Sequence, residues 1–448
     1  MTVGRFIERI QMKLGRRVRA GIVGFGRTGR ALYRALLPLP TEISIRCREK
    51  CSLPVGVDGM CGDGYLDGIF EDVLILSPSV RRDLPPLLSA ERRGVILSSD
   101  CEIFLTGDRN GISPEIYAVS GSDGKTTVTS MVARILDCPA IGNIGIPFSE
   151  SYGATQYAVE LSSFNTCFFA PVSDACAITC VTPNHLDWHR DFTEYLEAKR
   201  NAIKNTRRAV LCYDDGGSFA LRRGGEVLFS LTATRDELLR AGASHAIYSQ
   251  GGVIYCDGDR ILSQDELSLC ERHNVLNFMA ALGLTLGRAD TEKIREVGRS
   301  FAPPKHRCEH VHTDARGVRY IDSSIDTTPS RTAVTLTGLG RRVSILLGGR
   351  GKGLPLLPLV EPLSKYAERI AIYGELGREL ADFLDGDARL AGIPKLICEG
   401  FDEAVKWLSR SAREGGTVLL SPAATAYGEF LNYEKRGERF CELVRGHP

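Results

Sequence analysis

The chain has 448 residues, 43% hydrophobic and 25% charged, with a net charge of +1. That length allows about three domains, and the even balance of charge argues against a nucleic-acid-binding surface and against an acidic disordered tail. No apolar run reaches the roughly 18 residues of a membrane-spanning helix. The 14 cysteines are scattered with no C-x-x-C pair. They read as small core hydrophobes in a reducing cytoplasm and not as a disulfide or zinc framework.

The N-terminal stretch MTVGRFIERIQMKLGRRVRAG is basic and amphipathic, and it lacks both a continuous apolar core and a small-residue cleavage site. It predicts a short helix leading to the first strand, not a secretion signal. Strand-like apolar runs then alternate with helical stretches, the pattern of α/β units on parallel sheets. Three segments carry the pattern, predicting domains at 1–112, 113–302 and 303–448. The first opens with RAGIVGFGRTGRALYRALL: strand, glycine turn, helix. The second opens near EIYAVSGSDGKTTVTSMVARIL with the same grammar. The third follows RSFAPPKHRCEHV, whose prolines and basic cluster read as a linker, and contains RVSILLGGRGKG and GTVLLSPAATAYGEF.

The stretch VSGSDGKTTVTS is the most informative. Gly121 and Gly124 allow a tight turn with exposed backbone N–H groups, Lys125 brings positive charge, and Thr126 and Thr127 open a helix. N–H groups and a helix N-terminus aimed at one point favour a phosphate. Thr126 stands where a hydroxyl ligand to Mg²⁺ is expected. Val119 holds the first glycine position of the full G-x-x-x-x-G-K-[ST] spelling, so the motif is a shortened form. The earlier loop Gly24-Phe25-Gly26-Arg27-Thr28-Gly29 fits G-x-G-x-x-G. Its following strand, EISIRCRE, ends in Arg46 and Arg48 instead of the acidic residue that a ribose would want. A phosphate-bearing ligand other than a dinucleotide therefore fits that loop better. In PNHLDWHRDFTEYLEAKR, His185 and His189 would share one face if the stretch were helical. However, Leu186 stands where a zinc protease needs glutamate. The alternative is a polar loop leading into a solvated helix.

With these motifs in place, the whole chain resembles the Mur ligases, the ATP-dependent amide ligases of peptidoglycan synthesis, and among them the D-glutamate-adding members. GSDGKTT is similar to the family's shortened phosphate loop. The blocks GNIGIP (142–147), VELSSFN (159–165), NHLDWHRDFTEYLEAKRNAI, RHNVLN (272–277), KHRCEHV, GGRGKG and LLSPAATAYGEFLNYEKRG continue the likeness in order.

The resemblance implies a Rossmann-like UDP-binding domain, a central P-loop ATPase-type parallel sheet and a C-terminal Rossmann-like domain. It implies ATP, two Mg²⁺ ions and a CO₂-derived carbamate on Lys199. A free ammonium would not bind Mg²⁺, whereas a carbamate offers hard anionic oxygens. Glu160, His185, Lys199 and Thr126 are the implied metal-site residues, with Lys125 catalytic, while His189 reads as loop structure or a supporting partner. ATP contacts are implied for Gly121, Ser122, Asp123, Gly124, Lys125, Thr126, Thr127, Asn277, Arg307 and Asp322. Thr28, Arg48, Ser77 and Asn143 are implied for UDP-N-acetylmuramoyl-L-alanine, and Lys352, Ser421 and Phe430 for D-glutamate. Asn143 and Asn277 could instead cap turns or helices, and Phe430 could belong to the core. A monomer without nucleic-acid partner or membrane span is implied.

Two stretches depart from the family pattern. Arg46-Cys47-Arg48 replaces an acidic residue before T-R, and DSSIDTTPSRT (322–332) puts Ser324 where D-S-K-A-T-N has lysine. Other readings are a sibling or folylpolyglutamate-type ligase with another acceptor, a non-catalytic binding homologue, and a nicotinamide-dependent dehydrogenase. The retention of Lys125, Glu160, His185 and Lys199 argues against the binding homologue.

Overall fold

A computed structural model describes residues 1–48, 53–106, 114–144, 146–186, 188–302, 305–351 and 353–446. Among these residues the strands form three sheets, and the chain divides into two compact units, Met1–Ala302 and Pro303–Pro448. The chain is α/β with parallel-dominated sheets, as its alternating pattern predicts.

The N-terminal stretch forms a helix, Val3–Leu14, closed by Gly15 in the left-handed conformation that glycine tolerates. Val3, Ile7 and Ile10 bury its apolar stripe against the first sheet. That sheet has five strands, β1 (Val18–Val23), β2 (Thr41–Cys47), β3 (Asp58–Cys61), β4 (Val73–Leu76) and β5 (Ile96–Ser98), in the order β3-β2-β1-β4-β5. All four pairings are parallel. β1 and β4 are almost wholly buried, as strands covered on both faces are. The strand order reverses between β1 and β4, and open α/β sheets bind ligands at the C-terminal ends of the strands flanking such a point.

The second sheet contains β6 (Glu115–Ser120), β7 (Ala140–Gly142), β8 (Gln156–Glu160), β9 (Val172–Ile178), β10 (Asn205–Cys212), β11 (Val227–Ser230), β12 (His245–Gln250), β13 (Val253–Cys256) and β14 (Asp259–Ser263). Its order is β14-β13-β12-β11-β10-β9-β6-β8-β7. Pairing is parallel from β7 to β12 and antiparallel for the last two strands. Helices Lys125–Ile135 and Arg272–Thr285 pack Val128, Met131, Val132, Phe278 and Met279 into one core. Helix Phe192–Lys204 packs Tyr195, Ala202 and Ile203 into another. The reversal of order here falls at β6, between β8 and β9.

The second unit has a six-stranded sheet of β15 (Glu309–Thr313), β16 (Arg319–Asp322), β17 (Val343–Gly348), β18 (Ala367–Tyr373), β19 (Lys395–Ile397) and β20 (Thr417–Leu420), in the order β15-β16-β20-β17-β18-β19. Only β15 runs antiparallel. The two central strands β17 and β20 are buried throughout.

Candidate active site

The first glycine loop leaves β1 at the switch point. A side chain at Gly24, whose φ is +91°, would come within 2.7 Å of Ser77 Oγ, and one at Gly29 within 2.1 Å of the Gly24 carbonyl oxygen. The tight turn therefore requires both glycines. Ser77, at the end of β4, donates its hydroxyl to the Gly24 carbonyl at 3.0 Å and fastens the loop. Thr28 lies half-buried in the first turn of helix Arg27–Leu36, and Arg48 is exposed just beyond β2.

Arg46 and Arg48 differ in setting, the first inside β2 and the second just beyond it. Arg46 is 1% exposed, and its guanidinium donates to both Glu71 oxygens at 2.6 and 3.0 Å. It also donates to the carbonyls of Tyr65, Asp67 and Gly68 at 3.0, 2.8 and 3.1 Å. Burial opposes the charge on Glu71, but hydrogen bonds from Arg46 and Ser44 outweigh it and hold the carboxyl below its ordinary pKa. Arg46 thus pins the 65–71 stretch to the sheet and is not available to a ligand.

The phosphate loop follows β6. Gly121 has φ +140° and Gly124 +77°, and the second initiates helix Lys125–Ile135. A side chain at Gly121 would meet Thr179 Oγ1 at 2.0 Å, and one at Gly124 would meet Asn277 Oδ1 at 2.2 Å. Asn277, buried on helix Arg272–Thr285, therefore sits directly against the loop. The Ser122 hydroxyl lies 2.8 Å from the Tyr195 hydroxyl and donates to the Thr182 carbonyl at 2.9 Å. Lys125 Nζ donates to the carbonyls of Gly121 and Ser122 at 2.9 and 2.7 Å. Asp123 and Thr127 occupy the expected loop and first-turn positions.

Glu160 ends β8 beside this loop and is 2% exposed. Both donors to its carboxylate are neutral: Thr126 Oγ1 at 2.8 Å and the Asn143 side-chain amide at 2.6 Å. Asn143 also donates its backbone N–H to the Glu160 carbonyl at 3.1 Å, and its own carbonyl accepts from Arg27 of the first glycine loop at 3.2 Å. It is held by these bonds and caps no helix.

Lys199 lies on helix Phe192–Lys204 and is 1% exposed. Its Nζ donates to the Gly121 carbonyl at 2.9 Å and to Ser120 Oγ at 3.2 Å, and sits 4.9 Å from the centre of the Tyr195 ring. Burial first, and then the neighbouring charge of Lys125, push its pKa well below the ordinary lysine value. The structure therefore brings Lys125, Thr126, Glu160, Lys199 and Asn277 together around one loop.

The two histidines lie before the helix, so they share no helical face. The helix starts at Phe192 because Asp191 caps it, accepting from the Glu194 N–H. His185 has φ +54°, is exposed and stands 4.9 Å from the Phe164 ring. His189 is buried, with Nε2 2.9 Å from Ser163 Oγ and Nδ1 3.4 Å from Glu194. Glu194 is bound by the Arg81 guanidinium at 2.8 and 2.9 Å, which holds its pKa at about 2. His189 thus belongs to the packing of this turn.

In the second unit, Asp322 is fully buried. It lies 2.6 Å from His306 Nδ1 and accepts from the Ser324 N–H at 2.8 Å. Arg307 is half-buried beside His306. Ser421 is fully buried and donates to Asp326 at 2.8 Å, with the Thr332 hydroxyl 3.0 Å from its own. Phe430 packs edge-on against Phe401 at 5.0 Å. Lys352 lies outside the described residues. Ser324, where the family pattern has lysine, accepts from the buried Arg436 Nε at 2.9 Å. Arg436 also donates to the Ala424 and Ser324 carbonyls and to the Tyr373 hydroxyl.

Sequence reasoning missed Tyr195, Ser120 and Thr179. Tyr195 could have been found, because it precedes Lys199 by one helical turn on the same face. Ser120 directly precedes the loop in sequence, whereas Thr179 becomes its neighbour only through the β6–β9 pairing, which no local signal records.

A glycine turn that opens a helix in the manner of a phosphate loop, placed at a sheet's switch point beside a buried carboxylate and a buried, weakly basic lysine, is the arrangement of a nucleotide-dependent enzyme. Residues 119–285 match the family described as Mur ligase middle domain. A relative from Acetivibrio thermocellus, named UDP-N-acetylmuramoylalanine--D-glutamate ligase, is 32% identical over 86% of this chain and 84% of its own. One of the same name from Clostridium perfringens is 31% identical over 87% and 86%. The chain belongs to the Mur ligase family. Its fold is shared with UDP-N-acetylmuramate-alanine ligase from Thermotoga maritima, with TM-score 0.56 and 20% identity over 96% of this chain and 99% of that one. It is also shared with a pseudomurein peptide ligase type C from Methanothermus fervidus, with TM-score 0.54 and 13% identity over the same shares.

Proposed function

We propose that this chain is an ATP-dependent ligase that joins D-glutamate to UDP-N-acetylmuramoyl-L-alanine in peptidoglycan precursor synthesis. It acts as a cytoplasmic monomer. The observation that carries the reading is the convergence of Lys125, Glu160 and Lys199 on one phosphate loop, in a chain whose relatives of that name match it nearly end to end.

The acceptor's carboxylate takes the γ-phosphoryl group of ATP to give an acyl phosphate. The amine of D-glutamate then attacks the acyl carbon, and phosphate leaves. Two anions must meet in the first step, so charge neutralisation and alignment are the main demands. The loop N–H groups and the N-terminus of helix Lys125–Ile135 face the phosphates, and Lys125 exchanges its two loop carbonyls for phosphate oxygens.

The residues present fit a hard cation. Glu160 is a buried carboxylate whose two hydrogen-bond donors are neutral, and Thr126 adds a hydroxyl oxygen. Glu160, Thr126, His185 and the carbamylated Lys199 would hold two Mg²⁺ ions, which when bound spread positive charge over the transferring phosphoryl group. Lys199 suits carbamylation because burial favours its neutral amine, the form that adds to CO₂. Thr28, Arg48, Ser77 and Asn143 are proposed to hold the UDP-sugar, and Asn277, Arg307 and Asp322 the ATP. Lys352, Ser421 and Phe430 are proposed to surround D-glutamate.

The test is phosphate release with ATP, Mg²⁺ and UDP-N-acetylmuramoyl-L-alanine, comparing D-glutamate with L-glutamate, L-alanine and a diamino acid. Release that depends on D-glutamate alone is expected. Release with another acceptor would keep the mechanism and change the substrate, and no release with any of them would overturn the reading.

A further inference from the structure

β2 and β3 are parallel neighbours, and their last residues, Cys47 and Cys61, are register partners. Register partners on neighbouring parallel strands project from the same face, with Cα atoms about 4.8 Å apart. The two sulfurs lie 3.4 Å apart. A disulfide needs about 2.05 Å between sulfurs and Cα atoms roughly 4.4–6.8 Å apart, so side-chain rotation alone brings this pair into bonding range. Cys61 is exposed and Cys47 is 5% exposed. One thiol therefore meets solvent while the other waits behind it.

The surroundings set this pair apart from the buried cysteines of the central sheet. All four residues of β3 are exposed, and among the described residues the strand forms the edge of its sheet, paired with β2 alone. Such an edge tolerates a small shift. Cys176 and Cys212 are instead buried, and burial pushes their thiols up to about 12, which removes the nucleophilic thiolate.

We propose that Cys47 and Cys61 are a thiol–disulfide exchange site that staples the edge strand β3 to β2 by reaction with a low-molecular-weight disulfide. The Cys61 thiolate attacks one sulfur of the reagent, forming a mixed disulfide and releasing one thiolate. The Cys47 thiolate then attacks Cys61 Sγ, forming the internal bond and releasing the second. Two protein thiols are oxidised, one reagent disulfide is reduced to two thiols, and the two protein protons leave with them. Arg48 follows Cys47 directly, so the staple acts on the acceptor end of the sheet; this consequence rests on the ligase reading above.

The test uses the full-length protein with Cys51→Ser as background, so that a cysteine four residues from Cys47 in sequence cannot take the link. Exposure to oxidised glutathione should lower the intact mass by about 2 Da, reversibly with dithiothreitol. Peptide mapping should place the link at Cys47–Cys61, and Cys61→Ser should abolish it while keeping the basal rate. A glutathione adduct that never resolves, or a link to a different cysteine, would overturn the proposal. In the linked protein the KM for the UDP-acceptor should rise about tenfold with the KM for ATP unchanged. An unchanged acceptor KM would sink the coupling to that site. A reduced protein with no ligase activity would instead sink the ligase reading and leave the mass result standing.

Discussion

Lys199 and Arg46 are both buried cations in the first compact unit, one beside the second sheet and one on the first. Arg46 meets a carboxylate with both arms and three carbonyls besides. Lys199 meets one carbonyl and one hydroxyl, and the repelling charge of Lys125 acts on it more strongly than the opposing charge of Glu160. Removing a charge from water costs several kcal/mol unless an opposite charge and a full set of hydrogen bonds replace the water. Arg46 has that replacement. Lys199 lacks it and is driven toward the neutral amine. The difference teaches that a buried cation whose whole head group is satisfied by polar partners holds the fold, while one with few partners is driven toward its neutral form. Arg436 in the second unit falls with Arg46, since carbonyls and hydroxyls satisfy its whole guanidinium.

The sharpest break of this comparison removes charge from the phosphate loop. Lys125→Ala should lower kcat about a thousandfold or more with the folded state intact by circular dichroism. It should also raise the Lys199 pKa, because a repelling charge is gone. Next comes Lys199→Ala, expected to lower kcat by about a hundredfold or more and to be partly restored by a small added carboxylate that takes the place of the proposed carbamate. A wild-type rate in this variant would remove Lys199 from the metal site. Arg46→Ala should act on stability instead. It strands the Glu71 carboxylate in the interior and should cost about 3–5 kcal/mol in chemical denaturation, with kcat per folded molecule unchanged. A loss of kcat without loss of stability would show that Arg46 touches a ligand.

The smallest effect concerns His306. Its bond to Asp322 raises its pKa above the ordinary 6.5. The folded state therefore holds this proton more tightly than the unfolded chain does. The resulting stability is fully present below the unfolded pKa and is lost as pH rises through the raised folded value. Denaturation measured across that window should show the decline, and His306→Gln should flatten it.

Much of the central site was legible because it is written locally. The strand, glycine turn and helix of 115–135 occupy consecutive residues, and Glu160 and Lys199 stand in recognisable blocks. The start of the helix at Phe192 was also legible, from Asp191 with Glu194 three residues on, and it agrees with the reading of His185 and His189 as part of a polar loop leading into that helix. The role of Arg46 was not legible. Its partner Glu71 is 25 residues away, and the pairing depends on how 65–71 folds over the sheet. Ser324 was legible as a departure, but Arg436, which bonds it, is 112 residues further on. A sequence shows which residue is missing at a position more readily than which distant residue stands beside it.

Asn143 has a consequence for the thermodynamics of ligand binding. Its side chain and backbone N–H hold Glu160, and its carbonyl holds Arg27 of the first glycine loop. A ligand that draws Arg27 away at one loop must change the stability of the carboxylate's setting at the other. Free energy of that kind is reciprocal, so saturating either loop should shift the dissociation constant at the other by the same factor. Calorimetric titration of each ligand with and without its companion would read that factor directly, and Asn143→Ala should bring it toward one.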